Sequence, residues 1–199
     1  MIEEIHDHAI CKKTRTIYLG QEDETNHPIS HMSSLKFIKN LDILNAINKN
    51  AITLKMVSIE GGDVGHGLAM FAALKCSESE VGIYCYGSTG SFGTILLQGA
   101  AEGARYINQY SEFMIHYGSV ELNSDLISAE STAEANKIWR IKMLNIYAER
   151  CINGEFFKSR KYSLNKVKNY LNTKLRNAGD WYLKSAEEVV YYGFADQVF

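Results

Sequence analysis

The stretch "VGIYCYGSTGSFGTILLQGAAEG" (81–103) joins a β-rich apolar run to a helical segment through a glycine-rich turn. Its first seven residues are typical of a buried strand, and residues 94–103 favour a helix. A similar unit precedes it, with the apolar run 51–59, the turn "GGDVGHG" and the helical "LAMFAALK" (68–75). Repeated strand–turn–helix units predict an α/β fold with parallel strand pairing.

The rest of the chain adds elements of both kinds. "RTIYLG" (15–20) predicts a strand, residues 21–31 a loop that contains Pro28, and residues 104–118 further strand material. Four more segments have helical patterns: 33–50 with Ser33 or Ser34 as the cap, 125–151, the basic 158–176, and 185–193 with Gly193 as the C-terminal cap.

The composition is that of an ordinary globular protein, with 46% apolar and 22% charged residues and a net charge of -2. A chain of 199 residues predicts one domain spanning 1–199. Nothing in this charge balance favours a nucleic-acid or membrane surface. We expect no signal peptide and no transmembrane helix, since no apolar run approaches about 18 residues. Four widely spaced cysteines predict reduced thiols and a cytoplasmic location.

The glycine-rich turn at 87–93 could bind a phosphate, present a nucleophile or simply reverse the chain. It has no lysine, and neither glycine turn has the dinucleotide-binding spacing, which disfavours a nucleotide site. A serine at a tight strand-to-helix turn is exposed beside backbone N–H groups that can stabilise an oxyanion. Ser91 is the best placed candidate and Ser88 is its rival. A plain turn with capping serines is the structural alternative.

A nucleophilic serine needs a base, and His116 is the best candidate among six histidines. It ends the apolar strand "FMIH" and faces a loop, where a general base can reach a substrate. A half-buried histidine with satisfied hydrogen bonds explains the same pattern. "HDHAIC" (6–11) is a weak metal motif that a solvated terminus explains better, so we predict no metal site.

Five stretches together resemble the Clp protease proteolytic subunit (ClpP) family, over residues from about 14 to 198. They are similar, in order, to the family's opening R-x-I-x-L-G, its S-P-G-G turn and helix, its nucleophile block, its S-x-x-M-I-H strand and its S-A-x-E tail. Here they read "RTIYLG" (15–20), "SIEGGDVGHGLAMFAALK" (58–75), "GSTGSFGTILLQGAAEGARY" (87–106), "SEFMIH" (111–116) and "SAEEVVYYGFAD" (185–196).

The resemblance implies a serine endopeptidase that cleaves unfolded polypeptides through an acyl-enzyme. Ser91 would be the nucleophile and His116 the general base, while the backbone N–H groups of Gly62 and Phe92 would form the oxyanion hole. No metal or cofactor is implied for this chain.

The third member of the triad would be Asp180, one residue out of the family's register. The family aspartate lies four residues before the serine of the S-A-x-E tail, and that position, counted from Ser185, is Trp181. Asp180 precedes it, and the following pattern is recovered if Lys184 is an extra residue absorbed in a loop. Asp196 matches a structural aspartate of the family.

The resemblance also implies a fold and an assembly. The fold would be a crotonase-like α/β spiral with a protruding handle helix at 125–151, residues 1–14 an axial N-terminal segment, and about 152–178 an inserted basic lobe that does not bind nucleic acid. Subunits would form stacked rings, heptamers paired into a tetradecamer. An AAA+ unfoldase of ClpX or ClpA type would consume ATP and feed the rings.

The sequence departs from the family beside the predicted site. Ile59 and Glu60 replace a Ser-Pro pair, and Thr89 and Gly90 replace small residues that are usually alanines. Such divergence is similar to that of phage-encoded members. It keeps open the alternative of a weak or inactive ClpP paralogue with a structural or regulatory role in a ring. A third interpretation is an acyl-CoA-handling enzyme of crotonase fold, which shares the oxyanion turn but does not need Ser91 and His116 together.

Overall fold

The computed structural model describes residues 2–20, 27–118 and 125–199. The strands are β1 (Ile10–Cys11), β2 (Thr16–Gly20), β3 (Ile52–Ile59), β4 (Val81–Gly90), β5 (Arg105–Ile107), β6 (Glu112–Ile115), β7 (Trp181–Leu183) and β8 (Gln197–Val198). The helices are α1 (Ile2–His8), α2 (His31–Ile47), α3 (Val64–Cys76), α4 (Phe92–Leu97), α5 (Leu126–Cys151), α6 (Glu155–Lys158), α7 (Leu164–Ala178) and α8 (Ala186–Tyr191).

One mixed sheet organises the chain, in the order β1-β2-β3-β4-β5-β8. Strands β2 to β5 pair in parallel, as the strand–turn–helix pattern predicts. The long β4 has two partner strands on one side. Its first half pairs with β5, and its last three residues, 88–90, pair with β6. Strand β6 then pairs antiparallel with β7. This fork brings the ends of β4 and β6 and the start of β7 to one place.

The core lies between this sheet and the helices that follow its strands. Along β3, Ile52, Leu54 and Met56 are buried and alternate with partly exposed residues, which is the period of a half-covered strand. All six residues of α4 are buried, so the segment that follows β4 is anchored over its whole length. The predicted strand and helix of this unit are confirmed, but the strand continues through the predicted glycine turn to Gly90, because residues 88–90 pair with β6.

Several predicted helix boundaries are wrong, including that of the basic segment 158–176, whose helix begins only at Leu164. Helix α2 is capped by Ser30, whose hydroxyl accepts a hydrogen bond from the Ser33 N–H, so neither Ser33 nor Ser34 is the cap. Helix α3 begins at Val64, four residues before the predicted start, because Asp63 caps it. Helix α4 ends at Leu97 instead of continuing to residue 103, since residues 98–104 form tight turns that lead into β5.

Helix α5 occupies the segment predicted as a handle helix, and its two ends differ in burial. Its last turns pack into the core through Met143, Tyr147 and Cys151. Further out, the opposite face exposes 52% of Ile138 and 61% of Ile141. The sequence pattern predicts an apolar stripe of Leu126, Ile138, Ile141 and Leu144. The Leu126 side chain lies outside the described residues, and Leu144 is partly buried against the core. The handle therefore carries an uncovered apolar face within this chain.

Helix α7 occupies the segment predicted as a basic lobe. Its Val167, Leu171 and Leu175 are buried and recur at helical spacing, and the helix packs against α5. The lysines and arginines of the helix lie largely on its outer side. Helix α7 thus connects the handle to the strand β7 that follows it.

The N-terminal segment was not predicted to be helical, but it forms α1 and then pairs with β2 through β1. The Asn40 side chain donates a hydrogen bond to the carbonyl of His8 and so attaches this segment to α2. Residues 21–26 of the predicted loop lie outside the described part. All four cysteines are free thiols. In the described ranges, no helix is long and apolar enough to span a bilayer.

Candidate active site

Ser91 lies at the junction of β4 and α4 with a strained backbone. Its φ of 48° and ψ of -125° are unusual for a residue with a side chain and cost about 1–3 kcal/mol. A hydrogen bond of 3.0 Å from the Ser91 N–H to the Met114 carbonyl holds the junction to β6. The Ser91 side chain does not cap α4. A capping role therefore does not account for this serine.

The first glycine turn packs directly against Ser91. A Cβ atom at Gly61 would lie 2.6 Å from the Ser91 Cβ, so only glycine fits there. At Gly62, with φ of 144°, a Cβ would lie 2.2 Å from the Ile29 carbonyl oxygen. Backbone hydrogen bonds of Ile29 with Gly61 and Asp63 clamp the turn in place.

The two N–H groups predicted to form an oxyanion hole, those of Gly62 and Phe92, lie in this junction. Among the described residues, neither group donates to a backbone or side-chain acceptor. The Cβ position of Gly61 is 3.4 Å from the Phe92 nitrogen, so the turn and the start of α4 are adjacent. Neither N–H group is therefore engaged within the described residues, as the predicted role of both in an oxyanion hole requires.

Ser91, His116 and Asp180 are joined by two hydrogen bonds. The distance from His116 Nε2 to Ser91 Oγ is 2.8 Å, and that from His116 Nδ1 to Asp180 Oδ1 is 3.1 Å. The antiparallel register that pairs Ile115 with Trp181, continued by one residue, places His116 opposite Asp180. The contact that the sequence predicts between His116 and Asp180 is therefore present.

The other candidates lie elsewhere. Ser88 is within β4, and its hydroxyl is 3.4 Å from the Glu112 carboxylate, so it does not contact His116. His66, which lies in the first glycine turn, is another of the six histidines and makes an edge-on ring contact with His31. In the described part of the chain, no group of three His, Cys, Asp or Glu side chains is arranged to hold a metal ion.

Asp196 forms a separate structural ion pair. Its carboxylate accepts hydrogen bonds from the backbone N–H and the guanidinium of Arg105, a side chain that is almost fully buried. Burial alone raises the pKa of Asp196, but the hydrogen bonds and charge of Arg105 outweigh it and lower this pKa overall. The Asp196 carboxylate is therefore bound to Arg105, whereas His116 is contacted by Asp180.

A cleft of about 810 Å³ opens beside Ser91 and His116. One wall comes from α5, where Asn136, Trp139 and Met143 face the cleft and the Trp139 ring stacks on Phe92 with 5.3 Å between centroids. Sequence reasoning missed these three residues. Their spacing of three and four places them on one helix face, but only the packing of α5 shows where that face points.

Comparison with known proteins identifies the chain's relatives. The model of the Clp protease family matches residues 7–199. The chain belongs to this family. It is similar to "ATP-dependent Clp protease proteolytic subunit 2" of Prochlorococcus marinus strain MIT 9312, at 29% identity over 92% of this chain and 80% of that protein.

Two further members show the same relation at similar distance. The ATP-dependent Clp protease proteolytic subunit of Deinococcus radiodurans is 25% identical over 94% of this chain and 80% of its own length. Proteolytic subunit 2 of Chlamydia trachomatis serovar D is 26% identical over 94% and 81%. The chain is therefore a divergent Clp-type protease subunit of the serine peptidase kind, and its α/β architecture agrees with the Clp protease fold.

Proposed function

We propose that this Clp protease family member cleaves peptide bonds with Ser91 as nucleophile, His116 as general base and Asp180 as the group that orients the base. The observation that carries the proposal is the continuous hydrogen-bonded path from Asp180 through His116 to Ser91 at the edge of an open cleft. This is the arrangement by which a weakly nucleophilic hydroxyl is activated.

Acylation follows from this geometry. With Nδ1–H of His116 donating to Asp180, the other ring nitrogen is free to accept the Ser91 proton as Oγ attacks the scissile carbonyl carbon. The carbonyl oxygen becomes an oxyanion that accepts hydrogen bonds from the Gly62 and Phe92 N–H groups. The imidazolium then gives its proton to the leaving amine, the C–N bond breaks, and Ser91 carries the acyl group.

Deacylation repeats the sequence with water in place of the serine. His116 takes a proton from the water as its oxygen adds to the ester carbon. The tetrahedral intermediate then collapses, the ester C–O bond breaks, and the imidazolium returns the proton to Ser91 Oγ, which releases the carboxylic acid and the free serine. No step of this cycle requires a metal or a cofactor from the chain.

A purified sample treated with a fluorophosphonate probe tests the site. We expect one adduct, on the peptide containing Ser91, together with loss of peptide hydrolysis; the Ser88→Ala variant should label normally. Labelling of Ser88 instead, or no labelling in a sample that still hydrolyses peptides, would show that the assignment is wrong.

A second candidate function, a weak or inactive paralogue within a ring, is favoured by one observation. The Asp180 side chain is 58% exposed, so water competes for its contact with His116. A folded protein that neither labels nor hydrolyses peptides would support this alternative. An acyl-CoA-handling activity would instead survive the Ser91→Ala substitution, since that chemistry does not need Ser91 and His116 together.

We further propose that the subunits form stacked seven-membered rings in the cytoplasm and receive unfolded polypeptides from a ClpX- or ClpA-type AAA+ unfoldase, which alone consumes ATP. The exposed Ile138 and Ile141 on α5 support an assembled state, because a second subunit would cover this apolar face. The net charge of -2 gives no support for a nucleic-acid partner.

Native mass spectrometry tests the assembly. We expect species at seven and fourteen times the 22.4 kDa chain mass. The Ile138→Lys, Ile141→Lys double variant should shift the population to smaller species, whereas Lys142→Ala on the same helix should not. A wild-type protein that stays monomeric at micromolar concentration would contradict the ring proposal.

A further inference from the structure

Tyr117, the residue after His116, is tied to the inserted helix α7. Its hydroxyl donates a hydrogen bond of 2.5 Å to the side-chain oxygen of Asn172. Tyr117 also lines the cleft that holds Ser91. The sequence pattern gives this tyrosine no role, because its partner lies 55 residues away.

The same helix leads to Asp180, so α7 and the residues after it contact both His116 and its neighbour Tyr117. Helix α7 ends at Ala178, and Asp180 follows two residues later and contacts His116. His116 is thus attached to Asp180, just after the end of α7, and Tyr117 is attached to Asn172, in the middle of this helix. Two attachment points fix the orientation of the His116 backbone relative to α7 better than one contact can.

A third contact holds the Tyr117 ring from the handle. The Arg140 guanidinium lies 4.9 Å from the ring centroid, within the range of a cation–π interaction. Burial raises the pKa of Tyr117 and outweighs the charges of Arg140 and Arg176, which lower this pKa. The phenol is therefore protonated at neutral pH and acts as the donor to Asn172.

Asp180 itself has little protection from solvent. Its side chain is 58% exposed, against 24% for His116. An exposed carboxylate orients a histidine poorly unless other contacts fix the distance between them, because water can replace either partner. The Tyr117–Asn172 bond supplies such a contact one residue away.

We infer that Tyr117 is a positioning residue for peptide hydrolysis, which acts through its hydrogen bond to Asn172 to keep His116 in line with Ser91 and Asp180. The inference rests on the proposed function of Ser91 and His116. Tyr117 transfers no proton and contacts no reacting atom in this role. Its loss should slow acylation and leave substrate binding nearly unchanged.

Steady-state peptide hydrolysis by Tyr117→Phe and Asn172→Leu tests the inference. We expect kcat to fall about 5–10-fold in each, the effect of losing one well-placed hydrogen bond, with KM changed less than about 2-fold. The double variant should fall no further than either single one, since both remove the same bond. Tyr110→Phe, on an 84% exposed side chain, and Asn169→Leu, on the exposed side of α7, serve as matched controls.

Rescue by a conservative change separates positioning from general packing. Asn172→Asp keeps an acceptor for the Tyr117 hydroxyl, so it should retain near wild-type kcat where Asn172→Leu does not. Equal losses in both Asn172 variants, additive losses in the double variant, or wild-type kcat in Tyr117→Phe would each overturn the inference. Failure of the proposed function is distinct, because the wild-type protein itself would then neither hydrolyse peptides nor label at Ser91.

Discussion

The two ends of the hydrogen-bonded path are built differently. Ser91 lies between a central strand and a fully buried helix, and the Gly61 turn packs against it. Asp180 follows the last turn of a surface helix and is more than half exposed. The serine end is therefore fixed by the core, whereas the aspartate end depends on a few surface contacts.

Removing the nucleophile should have the largest effect. Ser91→Ala is expected to lower kcat by about six orders of magnitude, as loss of a triad nucleophile does, while the assembly mass is unchanged. The measurement is peptide hydrolysis with native mass as a check on assembly. Ser88→Ala is the control, and a loss in that variant with retention in Ser91→Ala would reverse the assignment.

Changing the aspartate end should cost less. Asp180→Asn is expected to reduce kcat by up to about 10⁴-fold, because the amide favours the wrong tautomer of His116. Hydrolysis rates compared with a surface control, Asp42→Asn, provide the measurement. Wild-type turnover in Asp180→Asn would mean that the protein works as a Ser–His dyad or completes its triad with another group.

A larger residue beside Ser91 should lower kcat by less than the loss of a triad residue does, because no reacting group is removed. Gly61→Ala places a methyl group 2.6 Å from the Ser91 Cβ, so the junction must shift, and we expect about a 10²-fold loss in kcat. Gly103→Ala is a matched control, because Gly103 also has a positive φ of 75° but has no atom within 4 Å of the added Cβ. Equal activity in the two variants would argue against a tightly packed junction.

Asp196→Asn should have the smallest effect on the reaction and act on stability instead. Breaking its pair with the buried Arg105 is expected to lower the free energy of unfolding by about 3 kcal/mol at neutral pH, with kcat of the assembled protein unchanged. Because folding lowers the pKa of Asp196, its stabilising contribution is present above about pH 4 and is lost as pH falls further.

Denaturant titrations of wild type and Asp196→Asn at pH 7 and near pH 3 check this. The difference between the two proteins should shrink at the lower pH, because the unfolded wild-type chain binds a proton at Asp196 there while the folded state resists protonation. A difference that stays constant across this range would show that Asp196 stabilises the fold through packing and not through its charge.

The sequence predicts the central units of the fold because their periodicity is strong and local. The runs that form β3 and β4 and the glycine turns after them stand out without any tertiary information. Strands of two or three residues, such as β1, β7 and β8, were missed because so short a segment has no readable period and exists only through its partner strand. The early end of α4 likewise follows from packing, not propensity.

The site residues likewise fall into those with a local sequence signal and those that depend on tertiary packing. Ser91 and His116 were predictable, since each marks the end of a strand with a strong pattern. Asp180 needed the family register, because an aspartate in a polar segment has no distinguishing local signal. Asn136, Trp139 and Met143 of the cleft, and the Tyr117–Asn172 contact, depend on how α5 and α7 pack and so could not be assigned from sequence.

The stacking of Trp139 on Phe92 gives the protein an intrinsic optical signal. The chain has two tryptophans: Trp139 lines the cleft and contacts the residue after Ser91, and Trp181 is buried next to Asp180 among aromatic rings. Indole emission depends on local polarity and on nearby quenching groups. An acyl group on Ser91 should therefore change the Trp139 fluorescence directly. Stopped-flow emission could then follow single turnovers of unlabelled polypeptides, with Trp181 as an internal reference.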